Sequence, residues 1–177
     1  MRRLSPLAPL VALAVAGCVP RVVPPPAPAP AAPRPEPTPA PAPSPALTGD
    51  WRDWPLTPGD WSYRKAPGGG ISTFGVAGST PSVTLICERA AHRVMLTRAG
   101  AAAHAPAMTI VTTSTTRTVP SRLDGSGGMA ASLAAGDSLL DAIGYSRGRF
   151  VIEQAGLPTL VVPAWPEIER VVEDCRG

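Results

Sequence analysis

The side chains from which most catalytic and metal centres are built are scarce in this chain of 177 residues, which has two His and three Cys. His92 and His104 stand 12 positions apart with no Cys or carboxylate at ligand spacing, so the three or four ligands of a metal site are not assembled and no metal is expected. Aromatic residues are few as well, at two Phe, two Tyr and four Trp. No apolar run approaches the roughly 20 residues of a membrane-spanning helix; the most apolar stretch, Leu4 to Ala16, is too short. A surplus of one charge is also missing where it would matter. Four of the 16 basic residues and one of the 13 acidic residues precede Leu47, which leaves 12 of each sign from Leu47 onward. A domain so balanced lacks the basic footprint of a nucleic-acid binder, and nucleic acid is excluded as a partner.

Proline is abundant, and unevenly so. Of 24 Pro, 13 fall between Pro20 and Pro45. Alternation such as Pro24-Pro25-Pro26-Ala27-Pro28-Ala29-Pro30 fixes φ, removes amide donors and excludes helix and sheet, which leaves extended polyproline II. At roughly 3.1 Å per residue such a rod reaches about 80 Å. The expected role is that of a linker; the alternative is a ligand for an aromatic groove, with Arg34 and Glu36 as the only flanking charges. The 131 residues from Leu47 to Gly177 suit one domain with its own core.

The first 18 residues read as Arg2 and Arg3, a mainly apolar run, and small residues ending at Gly17-Cys18, the layout of an export signal. Val15-Ala16-Gly17-Cys18 resembles the lipobox of bacterial lipoproteins. That resemblance implies cleavage before Cys18, a diacylglycerol on its thiol and an acylated amino terminus. Val19 follows the cysteine, which by the sorting rules of that family implies the periplasmic leaflet of an outer membrane. The division is therefore a signal peptide over 1–17, a lipidated Cys18 with a Pro/Ala-rich disordered linker over 18–46, and a globular domain over 47–177. The alternative for the leader is an ordinary cleaved signal with an incidental cysteine.

With Cys18 assigned to lipid, Cys87 and Cys175 remain, and an exported compartment permits a disulfide between them. Neither belongs to a CxxC pair, which speaks against metal binding or redox catalysis.

Short β-rich runs dominate the domain. Pro81–Glu88 and His92–Arg98 suit a hairpin about Arg89-Ala90-Ala91, and the β-branched stretch Met108–Val119 predicts one strand or two. Trp61–Arg64 and Ser72–Val76 flank a turn at Pro67–Gly70, and Gly148–Glu153 and Thr159–Val162 flank Gly156-Leu157-Pro158. About seven strands of this kind predict an antiparallel β-sandwich or partly open barrel. Two helices interrupt it: Asp137–Ile143, with Asp137 as N-cap, and a closing helix beginning at Pro166. In the latter, Trp165, Ile168, Val171, Val172 and Cys175 share one stripe, so the helix should carry Cys175 inward to Cys87.

Gly136-Asp137-Ser138-Leu139 spells the motif of the GDSL esterases. In that family the serine lies early and works with a late histidine; here the motif is late and no histidine follows His104, so a helix cap is the better account. Gly68-Gly69-Gly70 lacks the lysine and helix of a phosphate loop, and Gly125-Ser126-Gly127-Gly128 reads as a turn. The candidate contact surface comprises Trp51, Trp54 and Trp61, close together where linker meets domain, with Arg147 and Arg149 on one strand face opposite Phe150 and Ile152. The alternatives are tryptophans that cap the core and arginines that pair with Glu153 or Asp141.

The order of short helix, strand, Leu160-Val161-Val162-Pro163 and closing helix is similar to the end of the invasion-associated locus B family, small exported β-sandwich proteins. The second cysteine pair and early Trp-Cys segment of that family are absent, so the resemblance implies a fold and no site residues. The expected function is a lipid-anchored envelope protein with a binding or structural role, no cofactor and no catalysis, whose partners are membrane lipid through Cys18 and a protein of the envelope. The alternative is a periplasmic protease inhibitor, which would need a free N-terminal segment where this chain carries its tether.

Overall fold

The structure is a computed structural model that describes residues 47–100 and 106–177. Cys18, the proline-rich segment and His104 lie outside the described residues. Among the described residues, ten strands form two wholly antiparallel sheets. The larger is built from β1 (Asp60–Ala66), β2 (Gly69–Gly75), β3 (Val83–Glu88), β4 (Arg93–Ala99), β7 (Arg122–Leu123) and β8 (Gly128–Ala134), in the order β1-β2-β3-β4-β8-β7. The smaller holds β5 (Met108–Val111), β6 (Thr116–Val119), β9 (Arg149–Gln154) and β10 (Leu160–Pro163), in the order β10-β9-β5-β6. Neither sheet closes on itself, so the fold is a sandwich and not a barrel. No described helix is long and apolar enough to cross a membrane.

Alternation decides which face goes inside. In β2, β3 and β4 the residues Phe74, Val83, Leu85, Val94 and Leu96 are wholly buried, and Phe150, Ile152 and Val162 meet them from the smaller sheet. Trp61 joins the two layers: its ring lies 5.4 Å from that of Phe74, and its indole N–H donates to the Pro163 carbonyl at 2.8 Å.

The β3–β4 hairpin turns through a 3-10 turn at Arg89–Ala91, after which His92 takes a left-handed φ of 47°. The turn expected over Pro67–Gly70 is tighter, because Gly69 and Gly70 already belong to β2. Gly69 has a φ of 134°, and a Cβ there would come within 2.7 Å of the Cys87 Cβ, so close approach to the cysteine requires glycine. Met108–Val119 divides into β5 and β6. Two strands were not expected, the two-residue β7 and β8; the Met129-Ala130-Ala131-Ser132-Leu133 of β8 has little β propensity, yet it pairs along the full length of β4.

Asp137 caps α1 (Ser138–Gly144), accepting from the Leu139 amide at 2.8 Å, and Leu139, Leu140 and Ile143 are buried. The closing helix α2 (Pro166–Arg176) packs on β1 to β4 and on α1. Ile168, Val171, Val172 and Cys175 point into the core as expected. Trp165 does not: it is the N-cap residue, with extended backbone outside the helical phase, and is 41% exposed. Cys87 and Cys175 form a disulfide, with Cα atoms 5.3 Å apart. Three further contacts fasten the helix. Ser72 Oγ donates to the Glu167 carbonyl at 2.6 Å, the Tyr63 hydroxyl to Asp174 at 2.5 Å, and Arg89 Nε to the Asp174 carbonyl at 2.9 Å. The hydrogen bond to Asp174 holds the Tyr63 hydroxyl proton above the usual phenol range.

The disulfide closes a loop of 88 residues, for which the chain-entropy model gives about 4.5 kcal/mol. The double variant Cys87→Ala/Cys175→Ala should lose stability on that scale in urea titrations, and reductant should lower the midpoint of the wild type and not that of the variant. Equal midpoints for oxidised wild type and variant would show the bond to be idle.

Candidate functional site

The tryptophans grouped in sequence separate in space. Trp61 is 7% exposed and belongs to the core of the larger sheet. Trp51 and Trp54 lie on the opposite layer, where residues 47–58 cross the outer face of the smaller sheet. The local folding of this segment follows from its polar residues. Asp50 accepts from the Arg52 amide at 3.0 Å and starts a 3-10 turn over Trp51–Asp53. The same hydrogen bond holds the Asp50 carboxyl below the usual carboxylate range. Arg52 pairs with Asp50 at 3.2 Å, and its guanidinium sits 4.8 Å from the centre of the Trp51 ring. The Trp54 indole donates to the Thr48 carbonyl at 3.1 Å. Farther along, Thr57 bonds both ways with Val161, through its amide at 2.9 Å and its hydroxyl at 3.0 Å, and so covers part of the free edge of β10.

Beneath this segment β9 alternates as expected: Phe150 and Ile152 face the core, while Arg149, Val151 and Glu153 face outward. Val151 is nonetheless buried, because the tryptophan segment lies over it. The expected pairing of Arg147 with Arg149 on one strand face is not observed. Arg147 is exposed in the turn before β9, its amide bonded to the Thr113 hydroxyl at 3.2 Å. Arg149 begins the strand and donates through Nη1 to the Trp54 carbonyl. Nor do the expected acids pair with them: Asp141 binds Arg176 at 2.8 Å, and Glu153 makes no ion pair among the described residues. The third dimension thus unites Trp51, Trp54 and Arg149, and sets Trp61 and Arg147 apart. Sequence reasoning missed Val111, Val151 and Glu153, which with the two indoles line a pocket of about 190 Å³. The outward positions of β9 were the signal that could have found two of them. The arrangement offers apolar and aromatic surface edged by one free carboxylate, which suits contact with a partner side chain.

The other sequence motifs are accounted for by packing. Ser138 is the exposed first residue of α1. The Ala135 amide bonds to the His92 carbonyl at 2.8 Å, which brings that histidine's backbone near the motif, yet no hydrogen bond joins its ring to Ser138. Asp137 instead binds Arg117 at 2.7 Å, and that hydrogen bond, with the Leu139 amide, holds its carboxyl below the usual range. Gly125–Gly128 forms the β7–β8 turn, where Asp124 Oδ1 accepts from the Ser126 and Gly128 amides at 2.8 Å each. No group of three His, Cys, Asp or Glu placed to hold a metal occurs among the described residues. No family model, curated protein or solved structure matches this chain.

Arg149→Ala should release the Trp51–Trp54 segment, speeding amide exchange in residues 50–57 while the global melting point barely moves; unchanged exchange would show that the arginine does not hold it. Asp137→Ala should cost about 1–2 kcal/mol at neutral pH through the lost cap and ion pair. Because the folded carboxyl titrates below its unfolded value near 4, the stabilisation is complete above that pH and fades as pH falls through the folded value. Urea titrations of both proteins from pH 7 to pH 2.5 should therefore converge in acid.

Proposed function

We propose that this chain is a lipid-anchored protein of the bacterial cell envelope, in which the β-sandwich acts as a binding or structural module without catalysis. The observation that carries this reading is Cys18 at the end of the run Leu4 to Ala16, preceded by Val15-Ala16-Gly17. The disulfide supports it in two ways. It engages both cysteines of the domain, so Cys18 is the one left for another chemistry. Such bonds also persist in oxidising compartments such as the periplasm. A single acyl chain holds a protein only reversibly, so stable anchoring needs the two or three chains of a processed lipoprotein.

The proline-rich stretch then acts as a spacer between lipid and domain, and Trp51 and Trp54 are the first aromatic residues that follow it in the sequence. Val19 after the cysteine favours the outer membrane.

Cells fed a labelled fatty acid should incorporate it into the wild-type protein and not into Cys18→Ser, and the variant should move from the membrane fraction to the soluble fraction. Equal labelling, or an unlabelled wild type whose Cys18 thiol is free, would overturn the anchor. Crosslinking in intact cells tests the binding role: one abundant envelope protein recovered with wild type and lost with Trp51→Ala/Trp54→Ala is the expected outcome.

A further inference from the structure

The pocket beneath the Trp51–Trp54 segment is lined by one charge that its surroundings leave unmatched. Trp51 and Trp54 wall it, together with Val111, Val151 and Glu153, the outward residues of β5 and β9. Val111 and Val151 stand opposite one another across the β5–β9 ladder, and Glu153 follows Val151 on the same face. No basic side chain among the described residues forms an ion pair with Glu153. The other carboxylate at the pocket is matched: Asp50 pairs with Arg52 at 3.2 Å, and the Arg52 guanidinium in turn lies 4.8 Å from the centre of the Trp51 ring. Arg149 shares the outward face of β9 but begins the strand, about 13 Å along it from Glu153. Its Nη1 donates to the Trp54 carbonyl.

Such a lining calls for a cation, since indole faces attract positive charge and Glu153 adds a counter-charge. The acceptors at hand decide which cation. A primary ammonium brings three donors and a guanidinium five, and each needs an acceptor once water is removed. Four backbone acceptors of the segment are already in use. The Thr48 carbonyl accepts the Trp54 indole N–H at 3.1 Å, the Asp50 carbonyl the Asp53 amide at 3.0 Å, the Trp51 carbonyl the Trp54 amide at 3.3 Å, and the Trp54 carbonyl the Arg149 guanidinium. A donor-rich cation would compete with these bonds. A quaternary ammonium has no donors, and its methyl groups meet Val111 and Val151 as apolar surface. The same hydrogen bonds hold the tryptophan segment in place before a ligand arrives. At about 190 Å³ the pocket is smaller than the roughly 300 Å³ at which sites for whole drug-sized molecules begin, and it suits a head group.

We propose that this pocket binds a quaternary ammonium group of the choline class, with the cation against the Trp51 and Trp54 rings and Glu153 as its counter-charge. The site uses the surface for which a contact role is proposed above, but it needs neither a protein partner nor lipid on Cys18.

The test uses the full chain carrying Cys18→Ser, so that no acyl group of its own enters the assay. Choline is titrated while the four indole N–H resonances are followed by NMR. Those of Trp51 and Trp54 should move saturably, and those of Trp61 and Trp165, which do not line the pocket, should stay in place. Dimethylbutanol, the uncharged carbon isostere of choline, and ethanolamine, its donor-rich counterpart, should each bind about tenfold more weakly. Glu153→Gln should weaken choline by about the same factor, and Trp54→Ala should abolish the response of Trp51. Because Trp54 also holds the Thr48 carbonyl, Glu153→Gln at an outward strand position is the deciding variant. Sedimentation with phosphatidylcholine vesicles separates two sources of the group: a lipid head group carries the protein down, and a free solute leaves it in the supernatant. Unmoved Trp51 and Trp54 signals, dimethylbutanol or ethanolamine bound as tightly as choline, or choline binding indifferent to Glu153→Gln would overturn the proposal. Loss of a crosslinked protein on Trp51→Ala/Trp54→Ala would then leave the contact role standing by itself.

Discussion

The attachment of α2 to the six-stranded sheet is the constraint on which the rest of the sandwich depends. Ile168, Val171 and Val172 of that helix belong to the same core as the inward residues of β2, β3 and β4. Without the helix, those side chains would face water. An amphipathic helix of 11 residues has little stability of its own, so its position has to come from tertiary contacts. Here they lie along its length: the Glu167 carbonyl is held by Ser72, Asp174 by Tyr63 and Arg89, and Cys175 by the bond to Cys87. The disulfide differs in kind from the others, since it acts on the unfolded chain by shortening the loop that must be closed.

The two layers are joined at their margins by different means. On one side the Trp61 indole reaches the Pro163 carbonyl, tying edge strand β1 to edge strand β10. The Thr57–Val161 pair covers part of the edge that remains. At the β9–β10 turn Arg98 takes the Pro158 carbonyl, and its Nε and Nη1 have no partner among the described residues. The first two are ordinary solutions to free edges. The third leaves a buried guanidinium without an ion-pair partner among the described residues.

Much of the fold was legible because its signals are local. The β-branched residues of β3, β4, β5 and β6, the Asp137 cap and the Pro166 start act within a few residues of themselves, and each produced the element expected. Strand β8 was not legible, because its alanines are set by the space available beside β4 and not by any preference of their own. The site was only partly legible for a related reason. Trp51, Trp54 and Trp61 are neighbours in the chain, but the entry into β1 sends Trp61 inward to Phe74 and leaves the other two on the far layer. Arg149 joins them from nearly a hundred residues away through a backbone carbonyl, a contact that no residue pattern announces.

By itself, the sequence determined the class of the domain: no net charge from Leu47 onward, a mainly β composition, and two cysteines, Cys87 and Cys175, that pair. These follow from composition and short-range stereochemistry, which act whatever the rest of the chain does. Only the tertiary structure decided that Arg98 is buried without a counter-charge among the described residues, that its guanidinium takes the Pro158 carbonyl, and that Trp54 and Arg149 meet. Those outcomes depend on which strands become neighbours, and strand order is a balance of burial over the whole molecule that no single stretch of residues encodes.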